Sequence, residues 1–230
     1  MSLAAVFFDV GETLVDETES WGRWADWLEV PRLTFFATLG AVVARGGDPL
    51  LRSERRPVLV EVLRMLRPDL DPTAAGGRPD DVDQGFTVDD LYPDALPCLL
   101  ALHERGYRIG IAANQPARAA AMLRSAGLPF EWLLISELEG VQKPDPAFFE
   151  RITQVTGLPA ASIAYVGDRV DNDVVPASSA GMVAVHIRRG PWGVLQAGWP
   201  GVERAALRLA SLRELPARLH EVETALGTIG

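Results

Sequence analysis

The chain has 230 residues, 48% of them hydrophobic and 23% charged, with a formal net charge of −9. The acidic balance argues against a phosphate-backbone partner, because nucleic-acid binders carry a basic footprint. No apolar run is long enough to span a bilayer, no secretory leader is evident, and the single cysteine, Cys98, excludes an internal disulfide, so a cytoplasmic globular protein is expected, with neither a membrane nor a nucleic-acid partner.

The first apolar run, residues 5–8, shows no polar alternation and stops at Asp9. After it, residues 16–88 offer no convincing strand. Helical patterns occupy 21–28, 33–44 and 58–66, and the Pro-, Gly- and Asp-rich stretch 67–85 reads as a long mobile loop. Further on, Leu96, Leu99, Leu100 and His103 follow i, i+3, i+4, i+7 spacing, with Gly106 as a stop. Unbroken apolar runs return at 107–112, 132–135, 163–166 and 183–187, as expected of parallel strands buried on both faces. Between them, Asp145 followed by Pro146 reads as an N-cap with proline in the first turn. Phe148, Phe149, Ile152 and Val155 then make an apolar stripe, and Gly157 ends it. A last helical pattern covers 212–222. Strand and helix in alternation predict an α/β fold, a doubly wound parallel sheet built from residues 1–15 and 89–230, interrupted by a helical insertion at 16–88.

In open α/β sheets, ligands bind beyond the carboxyl ends of the strands. Asp9 follows the first predicted strand, and Ala113 and Asn114 follow the second. Lys143 lies in a loop after the third, and Asp168 follows the fourth, with Asp171 and Asp173 close behind. Carboxylates gathered on one rim repel unless a cation sits among them, and an all-oxygen site suits Mg²⁺. The lysine would balance an anionic substrate or the nucleophile.

Four stretches, in order, resemble the motifs of the haloacid dehalogenase-like (HAD) hydrolases: "FFDVGETL", "YRIGIAAN", "VQKPDPAFF" and "YVGDRVDNDVVPASSAGM". The resemblance covers almost the whole chain, and the helical insertion resembles the cap that many members carry after the first motif. It implies a Rossmann-type core and a small phosphorylated substrate. Asp9 would be the nucleophile and Lys143 a catalytic and phosphate-binding cation. Asp9, Asp168, Asp173 and the Gly11 carbonyl would hold Mg²⁺, and whether Asp171 joins them is left open.

Two positions depart from the family's phosphatases. These carry a second Asp two residues after the nucleophile, where this chain has Gly11, and a Ser or Thr at the end of the second motif, where it has Ala113. The first loss removes the group that protonates a leaving alcohol. Glu12, one residue out of register, is expected to point elsewhere, and Asp16 signals nothing, being common in phosphatases too. Asn114 is the polar group left to donate to a phosphoryl oxygen. Three readings stay open: an Mg²⁺-dependent phosphatase-like hydrolase with impaired or altered chemistry, a non-catalytic binding protein on this scaffold, or a 2-haloacid dehalogenase-type hydrolase, in which Asp9 would attack carbon without a metal.

Other features have plainer explanations. The even spacing of Trp21, Trp24 and Trp27 reads as helix packing. His103 on its helix's apolar face, His186 within a strand and Cys98 read as structural. Arg55 and Arg56 read as solvated charge, and residues 190–201 as a cover or a rim.

Overall fold

The structure, a computed structural model, describes residues 2–46, 58–70 and 85–227. Arg55, Arg56 and most of the 67–85 stretch lie outside these residues. The chain divides into two compact units, Met1–Asp16 with Thr87–Gly230, and Glu17–Phe86.

The first unit is built on β1 (Ala5–Phe8), β2 (Arg108–Ala113), β3 (Trp132–Ile135), β4 (Ile163–Gly167), β5 (Val183–Ile187) and β6 (Leu207–Leu209). All five pairings are parallel, in the order β3-β2-β1-β4-β5-β6. Every residue of β1 and β4 is buried, which explains why these strands read as continuous apolar runs. β6 is the addition to the predicted strands. It has three residues at the sheet edge, and its middle one, Arg208, is exposed, so it carries no continuous apolar run.

Phe7 sits opposite Gly110 on β2. A side chain at 110 would overlap the Phe7 ring, so glycine is required there by close approach. Phe7, Phe148, Phe149, Ile152 and Tyr165 belong to one buried cluster, with Phe149 edge-on to Tyr165 at 5.3 Å between centroids.

The second unit contains α1 (Thr18–Trp27), α2 (Arg32–Gly46) and α3 (Val58–Leu66). Its aromatic residues pack on one another: Trp24 lies 5.8 Å from Trp27, edge to face, and Trp21 lies 6.3 Å from Phe35. Arg32 joins Glu19 and Asp26 at 3.0 and 2.8 Å.

The remaining helices belong to the first unit: α4 (Ala95–Glu104), α5 (Ala119–Ser125), α6 (Ser136–Glu139), α7 (Pro146–Thr156), α8 (Val175–Ser179), α9 (Gly190–Leu195) and α10 (Leu215–Gly227). The apolar face expected for α4 is a correction. The buried positions are Ala95, Cys98, Leu99 and Leu102, whereas Leu96, Leu100 and His103 are exposed. The same periodicity holds one step out of phase, because the small Ala95 and Cys98 share the buried face with Leu99 and Leu102, while Leu96 and Leu100 stay outside. α7 follows expectation, with the Asp145 carboxylate accepting from Ala147 N–H at 3.0 Å. Among the described residues no single helix is long and apolar enough to cross a membrane.

Candidate active site

The strand order reverses between β1 and β4, and in a doubly wound sheet the crevice at such a point is where ligands bind. Phe8 pairs with Val166, so Asp9 and Asp168, which follow β1 and β4, emerge side by side. Asp173 is delivered by a π-type turn, Val170–Val174. This wide turn folds its carboxylate back, where Oδ2 accepts from Arg169 N–H at 3.0 Å. One oxygen from each of Asp9, Asp168 and Asp173 lies within 4.8 Å of the others.

Lys143 enters from the segment between α6 and α7. Its ammonium bridges two of the three carboxylates, 2.7 Å from Asp9 Oδ1 and 2.5 Å from Asp173 Oδ1. The Tyr165 ring lies below, 5.5 Å from Nζ, and the Tyr165 hydroxyl donates to Ala112 O at 2.7 Å. Burial alone would depress the lysine, but the Asp173 and Asp9 charges overcome it and hold the ammonium well above its usual range.

The acids feel the opposite pressure. Burial, then the neighbouring Asp173 and Asp9 charges, pushes Asp168 well above the usual carboxylate range. Burial likewise raises Asp173 to about 6, against the pull of Lys143. Asp168 Oδ2 is buried without a hydrogen-bond partner among the described residues. Such a group is costly unless something pairs with it. With all three ionised, three carboxylates against one ammonium would leave two negative charges unbalanced. A hard divalent cation with oxygen ligands fits both the donor set and the charge. The three acids also differ in access, since Asp9 is 8% exposed whereas Asp168 and Asp173 are 1% and 0%.

Residues 3–181 match the haloacid dehalogenase-like hydrolase family. The chain belongs to this family. Among curated relatives, it is 38% identical over 113 residues to the glyceraldehyde 3-phosphate phosphatase of Methanopyrus kandleri, covering 48% of each chain. It is 26% identical over 193 residues to a phosphoglycolate phosphatase of Pseudomonas fluorescens, covering 70% of this chain and 71% of that one. The chain spans about half the length of the first curated relatives it matches. The HAD-hydrolase YfnB of Bacillus subtilis, bound to magnesium, superposes with a TM-score of 0.72 at 18% identity, over 95% of this chain and 99% of that one. The L-2-haloacid dehalogenase of Xanthobacter autotrophicus superposes with a TM-score of 0.66 at 18% identity, over 95% and 98%. These two likenesses show the HAD fold.

Of the residues singled out in the sequence, Asp9, Lys143, Asp168 and Asp173 come together in this HAD core, and Gly11 lies in the turn that follows Asp9. Asn114 has a different partner from the one expected. Its Nδ2 donates to Lys143 O and its Oδ1 accepts from Lys143 N–H, both at 2.8 Å, so its amide holds the lysine's main chain instead of standing ready for a phosphoryl oxygen. Asp171 pairs with Arg169 at 2.8 Å and is not one of the three clustered acids.

Sequence reasoning missed the supports around the cluster. His186 Nε2–H donates to Asp168 O at 2.9 Å. Gln196, within the 190–201 stretch, accepts from Val170 N–H at 2.7 Å and so braces the turn that carries Asp173. Arg189 bonds Thr13 O at 2.9 Å and pairs with Asp94, tying the turn after β1 to the start of α4. A histidine inside a strand, and a glutamine among apolar neighbours, were the only hints in the sequence.

Proposed function

We propose that the protein is an Mg²⁺-dependent hydrolase of small phosphorylated metabolites, working through an aspartyl nucleophile, with residues 17–86 as its cap. The observation that carries this reading is the buried trio Asp9, Asp168 and Asp173, bridged by Lys143 and including a carboxylate oxygen without a partner. The names of the phosphatase relatives point to the same substrate class.

Asp9 is the acid that a substrate can reach, and in this reading its carboxylate attacks phosphorus. The phosphorus–oxygen bond to the leaving group breaks, the leaving group departs with the bonding pair, and the phosphoryl group rests on Asp9 until water hydrolyses it. Lys143 holds Asp9 in place and neutralises charge gathering on the transferring group. Asp168, Asp173 and the Gly11 carbonyl, with Asp9, would hold the Mg²⁺, which supplies electrophilic stabilisation of the phosphoryl oxygens.

Gly11 offers no acid for the leaving group, and Ala113 is buried and without a hydroxyl. Aryl and acyl phosphates, which leave without protonation, are therefore favoured over alkyl phosphates. A dehalogenase has no use for a cation, and three clustered buried carboxylates count against that reading. The test is hydrolysis with Mg²⁺ of acetyl phosphate, p-nitrophenyl phosphate, glyceraldehyde 3-phosphate and phosphoglycolate. Turnover of the first two above the last two is expected. Mg²⁺ binding without turnover of any would favour the binding-protein reading.

A further inference from the structure

Glu12 stands immediately after Gly11 with φ at 53°, in the left-handed region. Few residues other than glycine tolerate this conformation, and it persists only where its surroundings over-determine it. Here they do. Glu12 is buried, 4% exposed, and its N–H donates to Val15 O at 2.7 Å. Its carboxylate accepts from the Tyr92 hydroxyl at 2.7 Å. The same Oε2 lies against Gly190, itself at φ 62°, where any side chain would overlap the Glu12 carboxylate.

Tyr92 is anchored in turn. Its N–H donates to Leu14 O at 2.9 Å, and the Arg189 guanidinium lies 4.1 Å from its ring centroid. Burial, then the Glu12 carboxylate, raises the phenol above its usual range, so it remains a donor. A carboxylate is thus fixed by a hydroxyl and admitted by a glycine beside it, at the expense of backbone strain.

The plane of the Gly11–Glu12 peptide is set by ψ of Gly11 and φ of Glu12, so whatever pins Glu12 also pins the Gly11 carbonyl. We propose that Glu12, locked by Tyr92 and Gly190, is a positioning residue that fixes the Gly11 carbonyl as a ligand for the divalent cation held by Asp9 and Asp168. The inference rests on the cation reading above and adds residues on which that reading does not depend.

Titration calorimetry with Mg²⁺, alongside thermal unfolding of the metal-free protein, tests it in wild type, Asp168→Ala, Tyr92→Phe and Glu12→Gly. Tyr92→Phe keeps the ring and removes the hydroxyl. Affinity about tenfold weaker than wild type is expected, the low end for losing a group that orients a metal ligand. Glu12→Gly relieves the left-handed strain, so its melting temperature should hold or rise while its Mg²⁺ affinity falls by a similar factor. Wild-type affinity in either variant overturns the lock, whatever happens to the melting temperature. Equal Mg²⁺ binding by wild type and Asp168→Ala would instead overturn the cation site itself, and the lock with it.

Discussion

Asn114 clasps Lys143 by its main chain: one side-chain amide pairs with both the N–H and the C=O of a residue 29 positions away. The contact fixes the start of the lysine side chain, while Asp9 and Asp173 fix its end. Asn114→Ala should therefore release Lys143 at its root. We expect a loss of about 1–3 kcal/mol in stability, from unpaired buried main-chain groups. The fall in turnover should be about 10²-fold, because a small displacement at a reacting centre is enough for that. Denaturant unfolding and steady-state kinetics check the two numbers separately.

Asp9→Asn keeps the side chain's size and its ability to accept from Lys143, but removes the proposed nucleophile. Turnover should fall by on the order of 10⁴-fold or more, with the fold intact. Kinetics of a variant whose unfolding curve matches wild type would decide this, and normal turnover would dismiss the aspartyl mechanism.

The raised acids make stability depend on pH. Asp173 titrates near 6 in the folded chain, and Asp168 is also raised well above the usual carboxylate range. Both would release their protons near pH 4 when unfolded. The folded state thus holds protons that the unfolded state has lost, so the metal-free protein should lose stability as pH rises from about 4 through 6 and beyond. On the proposed reading Mg²⁺ would displace those protons, so its stabilising effect should grow over the same interval. At an Mg²⁺ concentration of about 100 times Kd near pH 7.5, the gain should reach about 2.7 kcal/mol, or roughly 5–10 °C for a chain of this size. Near pH 5 it should largely disappear. Thermal melts with and without Mg²⁺ at both pH values measure the difference.

Gly11→Asp with Ala113→Ser asks whether the proposed site can be made to act on alkyl phosphates. Gly11 is not among the left-handed glycines of the described residues, so its backbone admits an aspartate. The new acid would protonate a departing alcohol, and a gain on the order of 10²-fold on alkyl phosphates is expected, with less on aryl and acyl esters. A folded, Mg²⁺-binding double variant inactive on both classes would favour a binding protein.

The sheet was legible because a parallel sheet covered on both faces writes its strands as unbroken apolar runs, and because its acids stand at the strand ends. The phase of α4 was harder to read, since Ala95 and Cys98 face the core while the larger Leu96 and Leu100 do not. Hydrophobic size alone misplaces that face. The clasp of Asn114 on Lys143 and the pairing of Arg189 with Asp94 join residues far apart in sequence, and periodicity carries no record of such contacts. Glu12 was expected to point elsewhere than at the leaving group, and nothing in the sequence signalled what it would meet instead. Its partners, Tyr92 and Gly190, come from two distant segments, so only the folded chain shows why a glutamate occupies a left-handed turn.

The chain leaves the core after Asp16 and returns by Thr87. At that neck Val15 bridges Leu91 in antiparallel fashion, Asp16 N–H donates to Asp90 O at 2.8 Å, and Tyr92 N–H donates to Leu14 O at 2.9 Å. To the sheet, everything beyond the neck is therefore a hairpin tip. The entropy of closing a loop rises only slowly with its length, so the tip can be lengthened, shortened or exchanged for another sequence without disturbing the register of β1 or the place of Asp9. On the cap reading proposed above, such an arrangement would let one specificity be exchanged for another by grafting at a single point, with Asp9, Asp168 and Asp173 left in place.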